Sequence, residues 1–185
     1  MRVIAGKYRA KKLKEFDLDT TRPTLDRVKE ALFSSIQFDC INATVLDLFA
    51  GTGALGIETI SRGASKVYFV DQNKTAINII KENLKNIVED YEVCFTGYLS
   101  FLEKNKHLKF DIVLLDPPFN TNDGETAIDF IIANNMLTDK GIIVYEKAKD
   151  KPFDKVYDSF SIKKKHYGTV ELVFIRKEQL WDILN

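Results

Sequence analysis

From about Thr44 onward two hydrophobic periodicities alternate along the chain. ATVLDLF is a short apolar run rich in strand formers, and after a glycine turn ALGIETISR predicts a helix that stops at Gly63. KVYFV predicts the next strand. Asn73 is placed to cap the helix KTAINIIKENLKNI, whose Ile77, Ile80, Leu84 and Ile87 recur at helical spacing. YEVCF, FDIVLL and GIIVYE predict three more strands, separated by the helical stretches LSFLEK and ETAIDFIIANN. Near-continuous apolar strands alternating with helices imply an α/β fold whose mostly parallel sheet is covered on both faces. The end changes character. SIKKKHYGTVELVFIRK predicts a terminal antiparallel hairpin about a turn at Tyr167 and Gly168.

Ahead of this core, Thr24 is placed to cap a helix carrying Leu25, Val28, Leu32, Phe33 and Ile36 on one face, with Pro23 just before it. Residues 1 to 14 predict a small hairpin, RVIAG against KKLKEF. A chain of 185 residues has room for one full core and a small addition. The expected division is a basic N-terminal hairpin over 1–20 and a main domain over 21–185.

Composition narrows the class. Apolar residues make up 45% and charged residues 29%, as in a soluble globular protein. Charge breaks every apolar run well before the roughly 18 to 20 residues that a membrane helix needs, and MRVIAGKYRAKK lacks the apolar stretch of a signal peptide. A cytoplasmic protein is expected. Cys40 and Cys94 form no CxxC pair and read as reduced thiols, while His107 and His166 have no neighbours at metal-ligand spacing, so no metal site is expected. Formal net charge is zero, which argues against coating nucleic acid through the overall field. The distribution is uneven, however. Arg2, Lys7, Arg9, Lys11, Lys12 and Lys14 precede the first acid, and Lys163, Lys164, Lys165 and His166 cluster near the end. Either cluster taken alone reads as a solvated face.

Two motifs carry chemistry. Asp47 to Gly56, DLFAGTGALG, follows the first core strand and opens a helix. Its GxGxxG spacing alone is a weak signal; the strand-to-helix setting strengthens it, because glycines there permit a sharp turn and let a ligand meet bare backbone. Asp71 lies 20 residues after Gly51, at the end of the second strand, where a carboxylate can accept from both hydroxyls of a ribose. The pair points to an adenosine-containing ligand. A pyrophosphate at the loop would be repelled by Asp47, whereas S-adenosylmethionine carries an ammonium and a sulfonium that a carboxylate favours, directly or through water. Capping of the turn is the plainer role for Asp47.

The second motif, Asp116-Pro117-Pro118-Phe119, directly follows the strand Phe110 to Leu115 and should lie on the same rim as the glycine loop. An exocyclic amine on a base is a poor nucleophile because its lone pair is delocalised into the ring. Acceptors at the Asp116 carboxylate and the Pro117 carbonyl would orient that lone pair and stabilise the charge that develops on nitrogen. The prolines lock the local φ angles, and Phe119 offers a ring for a base drawn out of its stack. A plain Pro-Pro turn ending a strand is the alternative.

Together DLFAGTGALGIE, FVDQN and LLDPPF resemble the Rossmann-like class I amino-methyltransferases acting on nucleic acids. The opening, RVIAGKYRAKKL followed by RPTLDRVKEALF, is similar to the RsmD family of small-subunit ribosomal RNA guanine-N2 methyltransferases, and the likeness runs over nearly the whole chain. It implies methylation, by S-adenosylmethionine, of N2 of guanine 966 in 16S ribosomal RNA, free or in a small-subunit particle, by a monomer. Residue by residue it gives Asp47, Gly51 and Gly53 to the methionine part of the cofactor and Asp71 to the ribose, with Phe49 and Gln72 beside them. It gives Asp116, Pro117 and Phe119 to the target base, and Arg22, Thr24, Asp26 and Arg27 to a segment closing over the cleft. RNA contacts are expected at Arg2, Arg9, Lys11, Lys12, Arg22, Thr24 and Arg27. Two positions depart from the family pattern: Ser34 where Asn is common, and Gly97-Tyr98 where an Asp usually meets the adenine amine.

Other readings compete. A DNA or RNA adenine-N6 methyltransferase would also use DPPF, although 185 residues leave no room for a separate target-recognition domain. A nicotinamide oxidoreductase has no use for DPPF. A silent RNA-binding module would not need Asp47 and Asp116.

Overall fold

In the computed structural model, which describes residues 1–16, 23–118 and 120–178, the apolar runs assemble one sheet. Its strands are β1 (Thr44–Asp47), β2 (Lys66–Asp71), β3 (Asp90–Phe95), β4 (Phe110–Leu115), β5 (Leu137–Ala148), β6 (Phe160–Tyr167) and β7 (Val170–Lys177). Their order is β3-β2-β1-β4-β5-β7-β6. The first five pair in parallel, and β7 runs antiparallel to both β5 and β6. This is the mostly parallel sheet with a terminal antiparallel hairpin that the sequence predicts. The hairpin turn falls at Gly168 and Thr169 rather than at Tyr167 and Gly168, since Tyr167 still pairs with Val170 and Gly168 takes the left-handed φ of 60°.

Helices cover both faces. Because side chains alternate along a strand, Val45, Val67, Phe69, Ile112 and Val144 bury toward α1 (Pro23–Ile36), α2 (Ala54–Ser61) and α3 (Lys74–Asn83). Leu46, Tyr68, Val113 and Tyr145 bury on the other side with α4 (Tyr98–Lys104) and α5 (Asp123–Ala133). In α1, Val28, Leu32, Phe33 and Ile36 form the buried stripe. The helix begins at Pro23, so Thr24 lies inside its first turn and is not the cap that the sequence suggests; proline, with no N–H to satisfy and φ already set, suits that first position. The Asn73 side chain does cap α3, accepting from the N–H groups of Thr75 and Ala76. That helix ends at Asn83, and Leu84 and Ile87 reach the core from the turn after it.

The N-terminal segment makes one antiparallel bridge, Arg2 with Lys12, rather than two strands, and it is not a free appendage. Val3 and Leu13 are buried in the main core. Glu58 of α2, fully buried, accepts from the N–H groups of Ile4 (2.8 Å) and Ala5 (3.1 Å) and pairs with Lys29 of α1 (3.0 Å) and Arg62 (2.9 Å). Asn83 joins the same segment to α3 by exchanging two hydrogen bonds with the Lys14 backbone. One carboxylate therefore ties the segment, α1 and α2 together.

Candidate active site

Strand order reverses between β1 and β4, the place where open α/β sheets leave a crevice at the carboxyl ends of their strands. A cavity of about 480 Å³ opens there, a size usual for small-molecule sites. The glycine loop forms one wall. Gly51 and Gly53 hold φ of 55° and 77°, a backbone that side chains disfavour. Asp71, at the end of β2, accepts from the N–H of Gly51 with one carboxylate oxygen (2.9 Å) and of Asn73 with the other (2.7 Å). The loop thus holds the carboxylate rigidly against the cavity, and each oxygen keeps a lone pair for a further donor.

Asp47 sits elsewhere than its direct role would require. It is 1% exposed, does not line the cavity, and accepts from the Gly56 N–H in the first turn of α2 (2.9 Å). Burial raises its carboxyl to about 7; the Gly56 bond opposes this, and the charges of Asp116 and Asp71 add to it. Asp47 therefore clamps the turn.

Phe49, Gly51, Asp71 and Gln72 line this cavity, while Gly53 underlies it against Ile80 and Phe69. Asn73, Ala76, Thr96 and Tyr98 are among the further residues of its wall. Tyr98 packs its ring on Phe49 (centroids 5.1 Å apart) and donates its hydroxyl to Asp123 (3.0 Å). At the position where the acid is missing, the wall is built from Thr96 and this aromatic pair. Their only advance sign is the location of Gly97-Tyr98 after a strand that ends on the rim.

Asp116 follows β4 and opens onto the same cavity. Desolvation on its protein side raises its carboxyl, but its exposed face keeps water close and favours ionisation at neutral pH. Pro117 is buried, and its ring lies where a Cβ on Gly124 of α5 would come within 3.0 Å. Close approach of that glycine fixes the tetrapeptide from behind. Phe119 lies outside the described residues, as do Arg22 and the side chains of Thr24 and Asp26. Asp116 also lines a second, adjoining cavity of about 220 Å³, which shares Phe16, Phe49 and Gly51 with the first and adds Met1, Lys29 and Glu146.

The ends of the N-terminal segment, Met1 and Phe16, thus reach the rim beside Asp116, whereas its basic turn points away, against α2 and the turn after α3. Lys7 pairs with Glu89 (2.5 Å) and Lys11 donates to the Lys85 carbonyl (2.8 Å). Arg2, Arg9, Lys12 and Lys14 are exposed and form no ion pair among the described residues; Arg27 is exposed on α1. In the second basic cluster, Lys165 donates to Ser35 and His166 meets Glu171 (3.1 Å).

The cavity's chemistry suits a cationic adenosine ligand. No lysine or arginine is among the described residues lining it, two carboxylates are, and a third lies buried behind the loop. A pyrophosphate would meet net repulsion there, and a sulfonium attraction. S-adenosylmethionine, when bound, supplies an electrophilic methyl group. Asp71 would hold its ribose, and Asp47, Asp71 and Asp116 would favour its positive charge. Among the described residues no group of His, Cys, Asp and Glu could hold a metal ion, and no helix is long and apolar enough to cross a membrane.

Two expectations can be measured at this cavity. Asp71→Ala should weaken S-adenosylmethionine binding by one to two powers of ten in calorimetry, since a charge-assisted hydrogen bond is worth about 1.5 to 3 kcal/mol. The Asp47 carboxyl is raised in the folded protein, so the folded state holds its proton between the unfolded value of 3.8 and about 7, and stability from this group falls as pH rises through that window. A bound cation favours the ionised form. S-adenosylmethionine affinity should therefore rise from pH 6 to pH 8, while that of S-adenosylhomocysteine, which lacks the sulfonium, should rise less.

Residues 1–176 match the family described as Conserved hypothetical protein 95. The chain is 40% identical over 174 residues to ribosomal RNA small subunit methyltransferase D of Haemophilus influenzae, covering 92% of this chain and 90% of that protein. It is 32% identical to the protein of the same name from Escherichia coli K12, over 88% and 82% of the two chains. The solved structure of Escherichia coli yhhF superposes with a TM-score of 0.84 at 30% identity, over 96% of this chain and 98% of that one. With its class I fold and cofactor cavity, the chain belongs to the RsmD family of S-adenosylmethionine-dependent ribosomal RNA small subunit methyltransferases.

Proposed function

We propose that this protein methylates the exocyclic N2 amine of a guanine in 16S ribosomal RNA, at nucleotide 966. The observation that carries this reading is the position of Asp116, on the wall common to the cofactor cavity and the smaller cavity beside it. A base seated in the smaller cavity brings its amine to the one carboxylate that also faces the methyl donor. Asp116 and the Pro117 carbonyl accept from the amine N–H groups and turn its lone pair toward the methyl group. As the N–C bond forms and the C–S bond breaks, the nitrogen gives up a proton, which the Asp116 carboxylate can take and pass to solvent. Pro117, locked in φ and backed by Gly124, keeps its carbonyl in place. Labelled methyl transfer to 16S RNA, or to small-subunit particles from cells lacking the protein, should give N2-methylguanosine. N6-methyladenosine as the product would refute the reading.

The catalytic set in this reading is Asp116, Pro117 and Phe119, and the cofactor set is Asp47, Phe49, Gly51, Gly53, Asp71 and Gln72. We take Arg2, Arg9, Lys12 and Arg27 as RNA contacts, with Lys11 partly committed to its carbonyl, and Arg22 and Thr24 beside them in sequence. One chain supplies both cavities, and we take the working unit to be a cytoplasmic monomer. If Arg2, Arg9, Lys12 and Lys14 each neutralise a phosphate, log RNA affinity should fall against log salt with a slope of about −3, at roughly −0.7 per contact. Changing Arg2, Arg9 and Lys12 together to Ala should flatten that slope by about 2 and leave S-adenosylmethionine affinity unchanged. A slope that survives would show these cations to be a solvated face only.

A further inference from the structure

The smaller cavity contains a charged side chain to which nothing above gives a task. Glu146, at the carboxyl end of β5, is 7% exposed and lines this cavity together with Asp116. Among the described residues its carboxyl has neither a hydrogen bond nor an ion pair, whereas the other buried acids there, Asp47, Glu58 and Glu171, each have a partner. Lys29, which also lines the cavity, is engaged by Glu58 and the Arg2 carbonyl, and the Met1 amino group by Glu15. Its oxygens are reached only through the cavity that the residue lines, so a donor seated there would be its partner.

Resting on the reading of guanine as the target, we propose that Glu146 selects guanine by accepting the N1–H of the base, leaving the N2 amine to Asp116 and Pro117. The tetrapeptide by itself does not choose between bases, since its two acceptors would serve an adenine amine equally well. The ring nitrogen beside the amine makes the difference. Guanine carries a proton on N1, which a carboxylate accepts; adenine presents a bare N1 lone pair, which a carboxylate repels. Glu146 stands on the same strand face as Val144, beyond the apolar core and level with the rim, where only the edge of a small planar ligand need reach it. Burial, and then the charge of Asp116, pushes the free Glu146 carboxyl up to about 8; an N–H donor draws it back toward the ionised form that accepts, and discrimination against a bare N1 should sharpen as pH rises through that value, where the carboxyl no longer carries a proton to donate.

The test compares bases that share the amine but differ at N1. The nucleotide methylated by the wild-type protein is mapped first. Small-subunit particles are then reconstituted on 16S RNA carrying either guanine or 2-aminopurine at that nucleotide; 2-aminopurine keeps the amine and lacks the N1 proton. Glu146→Ala should lower the rate on guanine roughly ten- to a hundredfold and leave the rate on 2-aminopurine unchanged or raise it. Glu146→Gln, which retains a neutral acceptor and the side-chain volume, should recover much of the guanine rate. S-adenosylmethionine affinity, measured on each variant, checks that the fold is intact, and should Glu146→Ala not fold, the guanine-only loss is read on Glu146→Met, which keeps much of the side-chain volume without a carbonyl acceptor. Equal losses on both bases, or no loss on guanine, overturn the assignment of Glu146 while N2-methylguanosine remains the product. A wild-type product other than N2-methylguanosine removes the reading beneath it as well.

Discussion

Replacing Asp116 by Ala is expected to slow methyl transfer on the order of a hundredfold or more while S-adenosylmethionine binding weakens far less, by the loss of one charge near the sulfonium. In the proposed reading the cofactor's ribose rests on Asp71, and the loop around it is held by the Gly51 and Asn73 amides and by the Asp47 bond to Gly56, none of which involves Asp116. What the Ala variant loses is an acceptor aimed at positive charge that grows on the amine nitrogen only as the bond forms, so the loss falls on kcat. Asp116→Asn keeps one carbonyl acceptor and should retain more activity than the Ala variant if hydrogen bonding matters more than net charge. Single-turnover rates at saturating RNA, with cofactor affinity measured separately, resolve the two effects. An Ala variant as fast as wild type would remove Asp116 from the chemistry.

The second large effect is on stability, at Glu58. Its carboxylate is fully buried and is shared by two amide N–H groups of the N-terminal segment, the Arg62 guanidinium and the Lys29 ammonium, itself only 4% exposed. Glu58→Ala would remove the buried carboxylate that pairs with Lys29 and leave two amides without their acceptor. Breaking a buried pair from one side costs about 3 to 5 kcal/mol. Urea unfolding should register a loss of that size, and amide exchange at Ile4 and Ala5 should quicken ahead of the sheet. A change below about 1 kcal/mol would put this carboxylate in the range of a surface ion pair and contradict the role given to it.

Strands β1, β2, β4 and β5 are legible in the sequence because their buried stretches read as apolar runs; β3, exposed at the sheet edge, shows only through the strand formers of YEVCF, and the hairpin is legible because a glycine turn separates two strand-forming stretches, although β7 is buried along VELVFI rather than alternating. The glycine loop, Asp71 and Asp116 stand out because they directly follow such runs, at the ends where a parallel sheet binds ligands. Charges buried within otherwise apolar elements are harder to read. Lys29 lies four residues from both Leu25 and Phe33, on the apolar stripe of α1, and that spacing is the signal that marks it as buried. Glu146 ends the run GIIVYE and reads as the polar close of a strand, although it shares a strand face with Ile142 and Val144 and sits at the ligand end of β5. The docking of the basic segment was not legible, because its anchors, Glu58, Ser61 and Asn83, are polar side chains distant in sequence that accept or exchange bonds with its backbone. Periodicity carries no trace of such bonds.

The central claim is tested most directly by mass mapping of modified nucleotides in 16S ribosomal RNA from cells with and without this protein. The account predicts that one N2-methylguanine, at nucleotide 966, disappears with the protein and returns when the wild-type chain is restored, but not when the Asp116→Ala variant is. An unchanged methylguanine at that nucleotide, or the loss of a methyladenine instead, would contradict it.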